Sequence, residues 1–196
     1  MKKELALKNR FLLLDNIVWG QEEKNFLKKF ISEEDFNPWS GGQIQIGKYL
    51  DKELISQHIT LLNSFWKKVC IWRNPPIANT NVHTDRGRSC ALNFPIKSDG
   101  KLCVAKAESI SYFEKNRKVK YDEKTPEGQT PYVETWPNFS KETSKHYNCV
   151  NITSPVLLDT KTPHCAINLD KNNFRYILTI TLNSTYDEII NDYFKK

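Results

Sequence analysis

The chain has 196 residues, 39% hydrophobic and 12% aromatic, enough for one domain with a full core and too apolar for a disordered polymer. Net charge is +6 and the sequence pI about 9.0, which allows an acidic partner such as nucleic acid. The lysine pairs Lys2-Lys3, Lys28-Lys29, Lys67-Lys68 and Lys195-Lys196 are scattered, however, and read as a solvated surface rather than a basic arm. No stretch approaches the ~20 apolar residues of a membrane span, and Phe11–Leu14 is too short for a secretory signal core. Five cysteines, at 70, 90, 103, 149 and 165, are odd in number and form no CxxC. A secreted disulfide framework does not fit. Cys70, Cys90 and Cys165 lie in apolar runs and read as buried thiols of a cytoplasmic protein.

In chain order, Phe11 to Trp19 reads as an outer strand or lead-in. Gln21 to Ile31 carries Phe26, Leu27, Phe30 and Ile31 at helical spacing. Asn37-Pro38-Trp39-Ser40-Gly41-Gly42 breaks the chain, and Gln43 to Gly47 alternates like a strand. Leu50 to Lys68 has the broad apolar stripe of an amphipathic helix. From there the pattern turns to strands: Val69–Trp72, Cys90–Lys97, Lys101–Lys106 and, more weakly, Ser109–Glu114. The charged, irregular segment from Lys115 to Tyr147 reads as strands and long loops at the mouth of the fold. Cys149–Asp159 resumes the strand pattern, Pro163-His164 enters another strand, Asp170–Asn173 turns, and Phe174–Leu182 is a strand. Tyr186–Phe194 suggests a closing helix. The sum is a single domain, 1–196. It divides into N-terminal helical support and outer strands (1–67), a β core (68–183) and a C-terminal helix (184–196). The expected class is mainly β with supporting α-helices, a sandwich or jelly roll.

Chemistry concentrates in Asn81-Val82-His83-Thr84-Asp85. In extended backbone, residues i and i+2 point to one side, so His83 and Asp85 can aim at one point. A third ligand, His164, follows in Thr162-Pro163-His164-Cys165-Ala166, and Arg175 comes eleven residues later in a β-like run. Two imidazoles and a carboxylate on one face of a metal leave the opposite positions open, the arrangement of non-haem Fe(II) sites. Arg175 adds a permanently charged fork for a carboxylate. His58 and His146 lie outside this pattern. Arg86 and Arg88 flank the metal loop and could hold an acidic group, or simply sit in a solvated turn.

The ordered set His83-x-Asp85, His164, Arg175 resembles the Fe(II)/2-oxoglutarate-dependent oxygenases. Asn93-Phe94-Pro95-Ile96, and the stretch Leu157–Ile180, are similar to their aspartyl/asparaginyl β-hydroxylase-like branch. The resemblance implies a double-stranded β-helix (a cupin-like jelly roll) and a dioxygenase, an oxidoreductase that hydroxylates a C–H bond while 2-oxoglutarate becomes succinate and CO2. It implies His83, Asp85 and His164 as Fe(II) ligands and Arg175 as the partner of the cosubstrate's far carboxylate. Asn93 would touch the cosubstrate where that branch usually has His, and Ala91 stands where it usually has Arg. The branch often lacks the acidic ligand that Asp85 supplies here. The likeness points to a peptide or amino-acid side chain as substrate. The absence of a second Arg after Arg175 argues against base repair, although nucleic acid stays open as a partner. Two other classes stand beside this reading. One is a metal-binding jelly roll with non-oxygenase chemistry. The other is a non-catalytic basic β-sandwich that binds a macromolecule.

Overall fold

The computed structural model describes residues 2–14, 21–29, 31, 46–50, 66–77, 79–85, 88–97, 100–121 and 132–195. In order the elements are α1 (Lys2–Asn9), β1 (Phe11–Leu13), α2 (Gln21–Lys28), β2 (Ile46–Leu50), β3 (Trp66–Asn74), β4 (Cys90–Lys97) and β5 (Gly100–Ala105). They continue with α3 (Ile110–Asn116), β6 (Lys118–Tyr121), β7 (Tyr132–Thr135), β8 (Tyr147–Asn151), β9 (Val156–Asp159), β10 (His164–Asn168), β11 (Arg175–Leu182) and α4 (Tyr186–Tyr193). A six-stranded sheet runs β1-β9-β4-β11-β3-β2, a three-stranded sheet β10-β5-β8, and β6 pairs with β7. Every described pairing is antiparallel. Bridges Asn79↔Ile167 and His83↔His164 lay residues 79–83 along the free side of β10, as a broken fourth strand of the small sheet.

Period-two alternation sorts each strand's residues between two faces. On the large sheet Val69, Ile71, Leu92, Phe94, Leu178 and Ile180 turn toward the helices and pack with Leu27, Tyr186 and Ile190. The alternate residues turn inward. Leu158 and Ile177 meet Leu102, Val104 and Ile152 of the small sheet, closing the space between the sheets. Cys103, Cys165 and Ile167 face outward from the small sheet and are covered by Phe113, Trp136 and Phe139. All eight residues of β11 are buried, because helices cover one face and the small sheet the other. That explains an almost unbroken apolar run. Pro95 lacks the N–H of a central strand, and the β4–β11 register shifts beside it, between Tyr176 and Ile177.

Two sequence expectations need correction. Ser109–Glu114 is not a strand: a 3-10 turn at Ala107–Ser109 leads into α3. Phe113 and, three residues before it, Ile110 pack over the small sheet at helical spacing, with Tyr112 partly buried beside them. The expected helix at Leu50–Lys68 ends too late, since β3 begins at Trp66. It also starts too early, since Leu50 closes β2; its middle, 51–65, lies outside the described residues. Helix α1 precedes β1, which lies at the start of the expected outer strand Phe11–Trp19. The closing helix is present and carries a capping box, with Thr185 Oγ1 and Glu188 each accepting from the other's backbone N–H.

Cys70, Cys90 and Cys165 are buried free thiols, as expected. Cys103 and Cys149, directly opposite each other on β5 and β8, form a disulfide across a sequence separation of 46. Chain entropy for a loop of that length gives about 4 kcal/mol as the upper contribution to stability. A Cys149→Ser variant should therefore lose up to about that much in urea unfolding. An unchanged midpoint would mean that the bridge does not form in solution. No helix among the described residues is long and apolar enough to cross a membrane.

Candidate metal centre

The bridge between residues 83 and 164 sets the two imidazoles side by side across antiparallel backbone, tilted by 52°. His83 N donates to His164 O at 3.0 Å and His164 N to His83 O at 2.9 Å, and the ring centroids lie 4.5 Å apart. Asp85, two residues on, shares their side. Ligand atoms of His83, Asp85 and His164 all lie within 4.8 Å of one another. Each imidazole is held in a defined tautomer. His83 Nδ1 lies 2.7 Å from Asn81 O and His164 Nδ1 lies 2.9 Å from Thr162 O. A carbonyl only accepts, so Nδ1 carries the proton and both Nε2 lone pairs face the common point. Arg88 Nε donates to Asp85 Oδ2, which turns Oδ1 toward His83 Nε2 at 3.7 Å. The loop is tied down by Asp85 N to Thr160 O, at 2.8 Å, and by Lys161 Nζ to Asp85 O, at 2.9 Å.

Electrostatics keep His164 and Asp85 in their metal-binding forms. Burial, aided by the charge of His83, pushes His164 down to about 4, so it is neutral at pH 7. Burial raises Asp85, but His164, Arg88 and the Arg88 hydrogen bond outweigh it and hold the carboxyl below its usual range. The sign for stability follows. A histidine whose folded pKa is depressed binds fewer protons than in the unfolded chain between that value and about 6.5. Its contribution is full above about pH 6.5 and is lost as pH falls toward 4. Metal-free protein should thus lose about 3 kcal/mol over that window. Urea titrations of the parent against His164→Gln check this; equal pH slopes for the two proteins would contradict it.

From β11 the Arg175 side chain crosses toward the small sheet and is 2% exposed. It passes over Gly100 so closely that a Cβ there would lie 2.2 Å from Nε and 2.5 Å from Cδ. Gly100 is needed for this approach. Gly100 lies four residues along β5 from Val104, the position opposite His164. His83, His164, Arg88, Asn93, Thr179, Trp72, Asn74 and Arg175 line one cavity, with Leu102, Ile152, Leu158 and Ile177 as apolar walls. Asn93 Oδ1 accepts from Thr179 Oγ1 at 2.6 Å. Among the described residues Arg175 has one weak partner, Asn74 Oδ1 at 3.5 Å from Nη1, and its Nη2 is buried with none. Burial pushes it down to about 9. Such a guanidinium lacks an anion, and a carboxylate is the planar, two-oxygen partner that fits it. Gly100→Ala should displace Arg175 and weaken binding of a dicarboxylate at least tenfold, measured by calorimetry, on top of the roughly 1–3 kcal/mol of overpacking. Parental affinity in that variant would contradict the packing described.

No protein-family model and no curated protein matches the chain. Solved structures do. HygX from Streptomyces hygroscopicus, with nickel, 2-oxoglutarate and hygromycin B bound, is 11% identical, over 91% of this chain and 84% of its own, at TM-score 0.53. The epimerase SnoN from nogalamycin biosynthesis, in complex with Fe3+, α-ketoglutarate and nogalamycin RO, is 12% identical, over 91% and 80%, at TM-score 0.57. A Pseudomonas putida prolyl-4-hydroxylase is 12% identical, over 93% and 97%, at TM-score 0.54.

The fold is a double-stranded β-helix. Within it, His83, His164, Arg175 and Asn93 of the sequence-chosen set line the cavity between the two sheets, and Asp85 sits beside the two histidines. His146 does not: its Nδ1 lies 3.1 Å from Ser109 Oγ and its ring stacks on Tyr112 at 3.9 Å. His58 and Arg86 lie outside the described residues. Sequence reasoning missed Trp72, Asn74 and Gly100. Asn74 looked like a strand breaker ahead of Pro75-Pro76; spacing i,i+2 with Trp72 was the available signal that both share the inner face.

Proposed function

We propose that this chain is an Fe(II)- and 2-oxoglutarate-dependent dioxygenase that hydroxylates a C–H bond. The observation that carries the reading is one cavity holding two kinds of site. One is a three-ligand metal face. The other is a buried arginine with no anionic partner among the described residues. His83, Asp85 and His164 would hold the iron, through two Nε2 lone pairs and one carboxylate oxygen. Arg175 would take the far carboxylate of the cosubstrate, and Asn93 its middle. Arg88, already bonded to Asp85, offers a second cation near the metal-end carboxylate. Bound iron would let O2 oxidise 2-oxoglutarate and the substrate together, one oxygen atom passing to succinate as CO2 leaves and the other to the substrate C–H bond. The chain's own part is positional. Backbone carbonyls fix the imidazole tautomers, Arg88 fixes the carboxylate, and Leu102, Ile152, Leu158 and Ile177 shape the apolar wall of the cavity.

The likeness of Asn93-Phe94-Pro95-Ile96 to the aspartyl/asparaginyl β-hydroxylase-like branch supports a peptide or amino-acid side chain as substrate. The prolyl-4-hydroxylase among the similar structures supports the same class. The cytoplasmic placement belongs to this proposal, and thiol counting tests it. Protein from a reducing cytosol should titrate five thiols, whereas a persistent Cys103–Cys149 bridge leaves three. The activity test is succinate formation without added substrate. It should require Fe(II), 2-oxoglutarate and O2 together, and should be lost in His83→Ala. Bound metal with no succinate under those conditions would instead support a jelly roll of other chemistry.

A further inference from the structure

We infer that Trp72 and Asn74 are specificity-determining residues that complete, with Arg175, a three-donor cradle for the distal carboxylate. This rests on the 2-oxoglutarate reading above. The two residues share the inner face of β3, and Asn74 is directly opposite Arg175 while Trp72 is opposite Ile177. Among the described residues, three buried side-chain nitrogens have no partner: Trp72 Nε1, Asn74 Nδ2 and Arg175 Nη2. All three residues line the same cavity. Buried donors are almost always paired in native proteins, so three orphans lining one cavity mark the place of an acceptor. The indole and guanidinium can only donate, which rules out a ligand end that is itself a donor. A carboxylate, with two oxygens and about four lone-pair directions, can take all three.

The amide orientation of Asn74 is fixed by chemistry. Its Oδ1 faces Arg175 Nη1 at 3.5 Å; the reverse orientation would set an NH2 group against the cation. Nδ2 is thereby turned to the ligand side. Asn168 holds the frame, donating from Nδ2 to Asn74 O at 3.2 Å, to Pro75 O at 2.8 Å and to Asn173 O at 2.9 Å. That one amide pins the end of β3 to the turn before β11. Asn74 also sets the charge of the seat. A carboxylate in its place would neutralise Arg175 from within and occupy the role of the ligand.

The experiment is calorimetric titration of Mn(II)-loaded protein with 2-oxoglutarate and, separately, with 2-oxovalerate, which lacks the distal carboxylate. Trp72→Phe keeps the ring and removes the N–H; it should weaken 2-oxoglutarate binding roughly tenfold. Asn74→Asp should abolish that binding and raise the melting temperature of the ligand-free protein. Mn(II) affinity and 2-oxovalerate binding should match the parent in both variants. Parental 2-oxoglutarate affinity in Trp72→Phe and Asn74→Asp would overturn the inference, and if Arg175→Leu still loses binding the dioxygenase reading survives. A parent that binds Mn(II) but no 2-oxoglutarate would overturn both. If Asn74→Asp fails to fold, Trp72→Phe alone decides.

Discussion

An Arg175→Leu variant should melt higher than the parent without ligand, and should lose its response to 2-oxoglutarate. The reason is the same for both effects. Arg175 is 2% exposed, and its hydrogen-bond acceptor among the described residues is a neutral amide oxygen at 3.5 Å. Burial alone drives it down to about 9, the signature of a charge taken from water without compensation. A folded pKa below the unfolded one means a penalty that persists at every pH below about 9. Each pKa unit corresponds to about 1.4 kcal/mol. Replacing a buried charged group with an apolar one of similar volume commonly stabilises by about 1–4 kcal/mol. For a domain of this size that is a rise of roughly 3–15 °C. In the parent the anion would stabilise instead, by about 2.7 kcal/mol at a hundredfold excess over Kd; in the variant it should shift nothing. Thermal melts with and without 2-oxoglutarate read both effects. A variant that is destabilised and still stabilised by the ligand would make Arg175 a structural residue.

His164→Ala should lower Fe(II) or Mn(II) affinity by more than about a hundredfold, since loss of even an outer partner of a metal ligand costs about 10–100-fold. His164 is 5% exposed and is the one ligand fixed on a full strand, with its backbone paired to His83. Removing its ring leaves His83 and Asp85, two donors on a loop. The matched control is His146→Ala, whose ring stacks on Tyr112 outside the cavity; metal affinity there should stay parental. Retention of metal by His164→Ala would contradict the three-ligand site.

The site was legible because its signals are local. His83 and Asp85 share a side by spacing alone. His164 follows a proline that opens a strand, and Arg175 interrupts an apolar run that is buried on both faces. The unread parts depend on register between distant segments. Gly100 looked like an ordinary turn glycine; its need is the passage of Arg175, from another sheet. Cys103 and Cys149 meet only because β5 and β8 pair in one register. Trp72 and Asn74 face the cavity because β3 lies beside β11, which nothing local to β3 announces. Helix α3 is not legible in a seven-residue window, where Ile110, Tyr112 and Phe113 all pack over the small sheet. Arg88 was recognised as a cation near the metal loop. Its bond to Asp85 needed the turn geometry.

The most direct test is anaerobic titration of the Fe(II)-loaded protein with 2-oxoglutarate, watched for the visible charge-transfer band of the chelate. A band in the parent that weakens in Arg175→Ala and vanishes in His164→Ala is the expected result. Bound iron without a band in the parent would contradict the dioxygenase assignment.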